Sequence, residues 1–149
     1  MSNIFKYVDL SGVELRSPQV VMVLKPWIDV GRVGTRVIRF LKDALGAEEL
    51  ATMRSPSTFY DYTIYRPRTY FSDGKRVFRQ PQTRLYYVKR PEQTHDLILM
   101  EMLEPHINSE EFIDAIIELS DRFQISEYTM IGGMYDMVPH TRPLVVSSI

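Results

Sequence analysis

The sequence contains no cysteine, so the chain has no disulfide, no thiolate nucleophile and no zinc–thiolate site. An excess of one charge is also missing, since 18 lysine and arginine residues stand against 19 aspartate and glutamate residues. No global field therefore attracts the chain to nucleic acid or to a membrane surface. The first residues lack the apolar run of a signal peptide, and no stretch is long enough to span a bilayer. We expect a soluble, cytoplasmic protein.

The apolar residues that are present occur in short runs and at helical spacings. With 149 residues and 44% apolar content, the chain is long enough for one domain, 1–149, with its own core. Apolar runs at 18–24, 96–100 and 128–131 predict buried strands, and such strands are typical of parallel sheets that are covered on both faces.

Two amphipathic helices are predicted between these strands. The first extends from about Gly31 to Leu45, with Asp29 as its cap and Gly46 as its stop signal. The second opens at residues 108–111, which have the spacing of a capping box. The apolar stripe of the first helix consists of Val33, Val37, Leu41 and Leu45. That of the second consists of Phe112, Ile116, Leu119 and Phe123, with Ile113 and Ile117 beside it.

Residues 62–90 have a different pattern, in which aromatic and polar residues alternate around a turn signal at 72–75. This pattern predicts an antiparallel meander that includes a strand at 84–89. The fold class expected from these elements is α/β. It has three layers, α/β/α, with a mostly parallel central sheet and the meander as an insertion.

The loops that follow the three apolar strands contain most of the candidate binding residues. In a parallel sheet such loops share the carboxyl edge, where ligands tend to bind. The candidates are Trp27, Asp29, Glu104, His106, Gly132, Gly133, His140, Thr141 and Arg142. Two prolines stiffen the last loop, 138–143. That loop is either a recognition element or a rigid crossover, and the position of Asp29 favours a helix cap over an acid or base.

The predicted meander is strongly basic. Eight lysine and arginine residues occur between Tyr62 and Arg90, against one acidic residue, Asp73. Arginine and tyrosine together are typical of protein–protein interfaces. The candidate interface residues are Arg66, Arg68, Tyr70, Arg76, Arg79 and Tyr86. Solvated strand faces are the second interpretation, and single-stranded nucleic acid is a distant third. Acidic residues of the second helix, from Glu110 to Asp121, make head-to-tail self-association plausible.

Five pieces of the sequence, in this order, resemble the proteasome assembly chaperone 2 family. They are residues 26–31 (PWIDVG), 59–62 (FYDY) with 66–67 (RP), 73–76 (DGKR), 104–106 (EPH) and 132–143 (GGMYDMVPHTRP). The resemblance implies an α/β/α sandwich related to nucleoside phosphorylases, a homo-oligomer and a proteasome-related partner. Relatives continue well beyond the last piece, so the resemblance implies either that 1–149 is the N-terminal portion of a longer family domain or that this chain is an unusually short member.

These features favour a non-enzymatic interaction domain that oligomerises and binds protein partners, without a cofactor or a metal site. No nucleophile elbow and no acid/base pair at a diagnostic spacing identifies a reaction. The alternative is a binder or enzyme that acts on a nucleoside or a phosphate-bearing small molecule. In that alternative Arg142 holds the anion, His140 is the acid or base, and Asp29 or Glu104 orients the substrate.

Overall fold

The structure is a computed structural model that describes residues 4–137, 139 and 141–148. Within this part of the chain, eight strands, two α-helices and two short 3₁₀ turns form. The strands are β1 (Phe5–Tyr7), β2 (Gln19–Lys25), β3 (Glu48–Met53), β4 (Arg68–Ser72), β5 (Lys75–Arg79), β6 (Arg84–Val88), β7 (Leu97–Leu103) and β8 (Glu127–Met130). The helices are α1 (Val33–Ala44) and α2 (Ser109–Phe123), and the 3₁₀ turns are Val30–Arg32 and Pro56–Thr58.

Six strands form one mixed sheet in the order β1-β3-β6-β7-β2-β8. The strands β7, β2 and β8 are parallel neighbours, which confirms the prediction from the three apolar runs. On the other side of β7, the strands β6, β3 and β1 pair in antiparallel fashion. The sequence did not reveal β1 and β3, because β1 is only three residues long and β3 begins with two glutamates, which are rare in strands.

Alternate residues of β2 and β7 pack on opposite faces of this sheet, as the two-residue period of a strand requires. Val20 and Ile98 belong to the core on one face, together with Phe112 and Leu119 of α2. Val23, Leu97 and Leu99 belong to the core on the other face, together with Ile38 of α1. Both faces of the parallel half are therefore covered, and the three-layer prediction is confirmed.

Helix α1 buries a somewhat different face from the one predicted, whereas α2 buries the predicted stripe. In α1 the buried residues are Gly34, Thr35 and Ile38, whereas Val33 and Leu45 are exposed. In α2 the predicted stripe does face the core, with Ala115 added to it, and Ile113 and Ile117 lie in solvent. Neither helix of the described residues is long and apolar enough to cross a membrane.

The predicted capping box at 108–111 is wrong. The Asn108 side chain forms no cap on α2, and its amide nitrogen Nδ2 instead donates to the Thr58 carbonyl at 2.9 Å. Asn108 also adopts a left-handed backbone with φ of 53°, which turns the chain into the helix. The Asn108 side chain thus forms a tertiary hydrogen bond to the 56–59 segment in place of the predicted local cap on α2.

The basic region 62–90 is divided between two sheets. The strands β4 and β5 form a separate antiparallel hairpin, whose turn residues Asp73 and Gly74 both have positive φ, as a tight hairpin requires. The next strand, β6, does not pair with the hairpin. It lies in the large sheet, between β3 and β7. The antiparallel hairpin was predicted correctly, but the third strand of the meander lies elsewhere.

Candidate functional site

The three loops that contain most of the predicted binding residues emerge at the same edge of the sheet. They follow β2, β7 and β8, which are adjacent and parallel, so all three leave the carboxyl edge. The loop after β2 begins with a cis peptide bond between Lys25 and Pro26. The topology therefore places Trp27, Asp29, Glu104, His106 and the two glycines on one rim.

The first and third of these loops are joined by backbone hydrogen bonds. The Val30 amide donates to the Gly133 carbonyl at 3.1 Å, and the Gly133 amide donates to the Ile28 carbonyl at 2.7 Å. Gly132 permits this approach, because a Cβ there would lie only 2.7 Å from the Ile28 carbonyl oxygen. The glycines at 132 and 133 thus serve close backbone packing.

The Asp29 side chain caps the first turn of helix α1. Its carboxylate accepts hydrogen bonds from the Thr35 amide, at 3.1 Å, and from the Thr35 hydroxyl. Thr35 lies in the first turn of α1, where amides lack partners within the helix. Asp29 therefore performs the capping role that its sequence position favours, and both carboxylate oxygens are engaged.

Glu104 and His106 lie beside the segment 59–65. The Asp61 amide donates to Nδ1 of His106 at 3.2 Å, and the imidazole packs against the Tyr65 ring, tilted by 53°, with 4.4 Å between ring centres. The Glu104 amide donates to the Lys25 carbonyl at 2.9 Å, which ties the loop to the end of β2. These contacts give His106 a packing role at this edge.

The remaining predicted binding residues form no shared cluster in the described part of the chain. The Trp27 side chain is 67% exposed. The Arg142 amide donates to the Pro139 carbonyl at 3.0 Å, which closes a turn that contains Thr141. No hydrogen bond or ion pair joins the described side chains of Thr141 and Arg142 to Asp29, Glu104 or His106. His140 lies outside the described residues, so its predicted role stays a prediction.

No three His, Asp or Glu side chains of the described residues lie close enough together to hold a metal ion.

A cationic groove lies between α1 and the hairpin, and the sequence did not predict it. We use the name for a cavity of about 270 Å³ lined by Lys25, Arg32, Thr35, Arg39, Arg66, Arg68, Arg79, Gln80, Pro81 and Glu101. Six of these side chains are cationic and one is acidic. Three of the arginines were predicted to belong to an interface, but their proximity to Arg32, just before α1, and to Arg39 of α1 could not be predicted from the sequence.

Glu101, the acidic residue of the cationic groove, is neutralised by two lysines. Its carboxylate lies 3.0 Å from Nζ of Lys25 and 3.0 Å from Nζ of Lys42. Burial alone would raise the pKa of Glu101, but Lys25 and Lys42 together lower it below its usual value. Lys42 also lies over the Tyr86 ring, 3.4 Å from its centre. Tyr86 is therefore a half-buried residue on the α1 side of the sheet, and its predicted interface role stays a prediction.

The hairpin has two faces of different character. Residues directly opposite each other in its register share a face, and faces alternate along a strand. Arg68, Tyr70, Val77 and Arg79 share one face, whose two arginines line the cationic groove, and Phe71, Arg76 and Phe78 share the reverse. Phe78, near the end of the hairpin, also borders a second groove that Tyr70, Val77 and Arg79 line. Phe71 is 71% exposed and Phe78 is 60% exposed. We call Phe71, Arg76 and Phe78 the aromatic hairpin face.

A second mixed surface lies along α2, which packs on the opposite face of the sheet from α1. Glu110, Ile113, Asp114, Ile117 and Asp121 recur at three- and four-residue intervals, so they share one side of the helix. All five are exposed. We call these five residues the acidic α2 face. Ile113 is 56% and Ile117 54% exposed, so the surface combines apolar contact area with negative charge.

These features define a class of protein: a three-layer α/β domain whose carboxyl-edge loops are held by structural hydrogen bonds and whose exposed faces pair apolar side chains with charge. Solved structures share this fold. A PAC2 family protein from Streptomyces avermitilis superposes with a TM-score of 0.77 at 25% identity, over 85% of this chain and 54% of that one. A proteasome-assembly chaperone homologue from Mycobacterium tuberculosis gives 0.75 at 25% identity, over 83% and 52%.

A third relative, a Mycobacterium tuberculosis protein of unknown function, gives a TM-score of 0.75 at 27% identity, over 96% of this chain and 51% of that one. No curated protein matches the chain. A model of the PAC2 family matches residues 23–149. The chain therefore belongs to the PAC2 family, as the resemblance of its loop motifs indicated. It spans about half of the length of these structural relatives.

Proposed function

We propose that this protein is a non-enzymatic, assembly-chaperone-like interaction domain that associates with itself and binds protein partners. The observation that carries the proposal is the aromatic hairpin face. Two phenylalanines project from a hairpin that stands outside the main sheet, and each exposes more than half of its surface. Large exposed aromatic side chains next to an arginine are typical of interface hot spots.

The acidic α2 face complements the aromatic hairpin face. One combines Phe71 and Phe78 with the positive charge of Arg76, and the other combines Ile113 and Ile117 with three carboxylates. The two faces lie on different parts of the same molecule, so their contact joins copies head to tail. Apolar contact would supply affinity, and opposite charge would set the orientation. We propose a second copy of this chain as the occupant.

Family membership supports a chaperone role for the assembled domain. One structural relative is a proteasome-assembly chaperone homologue, and we extend that role to this chain as a proposal. The partner would be a proteasome-related protein.

The catalytic alternative has less support. Asp29, one of the two residues that would orient the substrate, has both carboxylate oxygens occupied by Thr35. A carboxylate that orients a substrate needs a free lone pair directed at that substrate.

A charge-swap experiment tests the head-to-tail contact. We expect the wild-type protein to show a concentration-dependent oligomer in sedimentation velocity. Arg76→Glu and Asp114→Arg should each raise the dissociation constant about tenfold, because each places like charges across the contact. An equimolar mixture of the two variants should recover association, because every contact in an alternating assembly then joins opposite charges.

The control variant is Arg36→Glu, which reverses an exposed charge on α1 outside both faces. Its dissociation constant should stay within about twofold of the wild-type value. A wild-type protein that is monomeric at every concentration would contradict self-association. Failure of the mixture to recover association would contradict this pair of faces.

A further inference from the structure

The cationic groove has walls from separate parts of the chain. Arg32 precedes α1 and Arg39 lies in its second half, while Arg68 and Arg79 face each other across the β4–β5 hairpin. Lys25, at the end of β2, also lines the groove, together with Glu101. Four separate elements thus direct positive charge into one cavity, although the net charge of the protein is −1.

The arginines of the cationic groove have no counterions within the described chain. None of the side chains of Arg32, Arg39, Arg66, Arg68 and Arg79 forms an ion pair or a hydrogen bond with another described residue, and Glu101 is already shared by two lysines. Like charges directly opposite each other in a hairpin are destabilising, and Arg68 and Arg79 are such a pair. An anion in the groove would relieve this repulsion.

The number and type of these cations indicate the chemistry of the anion. Guanidinium groups form paired hydrogen bonds with phosphate oxygens, and several of them in one cavity suit a ligand with several negative charges. A cavity of about 270 Å³ is sized for a small molecule. A single carboxylate would leave most of the positive charge uncompensated, whereas two or three linked phosphates would neutralise much of it.

An adjoining groove offers room for a further group of the ligand. It has a volume of about 360 Å³, shares Arg79 and Gln80 with the cationic groove, and is lined by Tyr70. A tyrosine that is about half exposed gives a surface on which a planar ring can stack.

We propose that the cationic groove binds the phosphate chain of a small molecule, either a free oligophosphate or the di- or triphosphate group of a nucleotide. Arg39, on the α1 wall of the groove, and Arg79, on the hairpin wall, bind the phosphate chain of the ligand. In the nucleotide case the base lies toward Tyr70. The cationic groove shares no residue with the aromatic hairpin face, and only the adjoining groove includes Phe78. Binding of the phosphate chain therefore does not depend on self-association.

Isothermal titration calorimetry with pyrophosphate, ADP and adenosine tests the proposal on the full chain. Pyrophosphate and ADP should bind, and adenosine should not, because it lacks the phosphates. Equal affinity for pyrophosphate and ADP would identify a free oligophosphate as the source, and tighter binding of ADP would identify a nucleotide. In the double variant Arg39→Gln/Arg79→Gln the dissociation constant should rise at least tenfold.

A charge-matched control separates the groove from general electrostatics. The control variant Lys6→Gln/Arg36→Gln also removes two positive charges, but from exposed positions outside the groove. Its dissociation constants should change by no more than about twofold. The proposal is overturned if neither pyrophosphate nor ADP binds at millimolar concentration, or if both double variants weaken binding equally. A single-stranded oligonucleotide that binds a hundredfold more tightly than ADP would also overturn it, in favour of nucleic acid.

Discussion

Asp96 is a fully buried carboxylate immediately before β7, and it joins three segments of the chain. It accepts hydrogen bonds from the amides of Arg90 and Arg16, at 2.8 and 2.9 Å, and from the side chains of Lys89 and Arg16. Burial alone would raise its pKa, but these hydrogen bonds together lower the pKa well below its usual value. A buried charge with four donors contributes to stability as long as it stays ionised.

The variant Asp96→Asn should lose about 3 kcal/mol in the free energy of unfolding, because it leaves two cations and two amides without their carboxylate. Urea unfolding followed by circular dichroism measures this loss. Asp43→Asn is the matched control, since Asp43 is exposed on α1. Its effect should stay within about 0.5 kcal/mol. A similar result for both variants would show that the Asp96 network contributes little.

The lowered pKa of Asp96 also predicts the acid response of the protein. A carboxylate with a lowered pKa in the folded state contributes stability that is complete above its unfolded pKa of about 3.9 and is lost as the pH falls below it. The wild-type free energy of unfolding should therefore decrease between about pH 5 and pH 2. Asp96→Asn should decrease less steeply over the same interval, and an unchanged slope would contradict this assignment.

At the scale of the element, Gly34 allows α1 to pack closely against the sheet. A Cβ at residue 34 would lie 2.4 Å from Cγ2 of Val23 and 2.6 Å from the Ile131 carbonyl oxygen. The helix therefore packs directly on β2 and on the segment after β8. The start of the helix is also fixed by a residue that precedes it. Arg32, at the N-cap position, forms no side-chain cap, and the Asp29 carboxylate accepts the hydrogen bond of the Thr35 amide instead.

Gly34→Ala should lower the free energy of unfolding by about 2 kcal/mol, because the added methyl group overpacks the contact between helix and sheet. Helix propensity alone predicts the opposite sign, a gain of about 1 kcal/mol. Thermal unfolding distinguishes the two. Arg36→Ala, at an exposed position of the same helix, should change the stability by less than about 0.5 kcal/mol. A stabilised Gly34→Ala variant would show that α1 can move away from the sheet.

At the scale of the whole molecule, charge is separated although the total is nearly balanced. The cationic groove lies on the α1 side of the sheet, and the acidic α2 face lies on the other side. The formal net charge of −1 conceals this asymmetry. Such a distribution favours oriented association over repulsion between copies.

From the order of the sheet we expect the described part of the chain to unfold as a single cooperative unit. That order, β1-β3-β6-β7-β2-β8, places strands that are distant in sequence next to each other. We expect urea unfolding at a fixed protein concentration to give one transition, with the same midpoint in far-UV and near-UV circular dichroism. Two separated midpoints would contradict a single domain.

The sequence by itself determined the family, the three parallel strands, both helices and the hairpin turn, because periodicity and turn chemistry are local properties. It also determined the capping role of Asp29, six residues from Thr35. Only the tertiary structure decided that β6 joins the large sheet and that Asp96 collects four donors. Only the tertiary structure brought Arg39 and Arg79 to one cavity. A hydrophobic pattern specifies which face of a strand is buried, but it does not specify the neighbouring strand, and long-range partners of charged side chains depend on that choice.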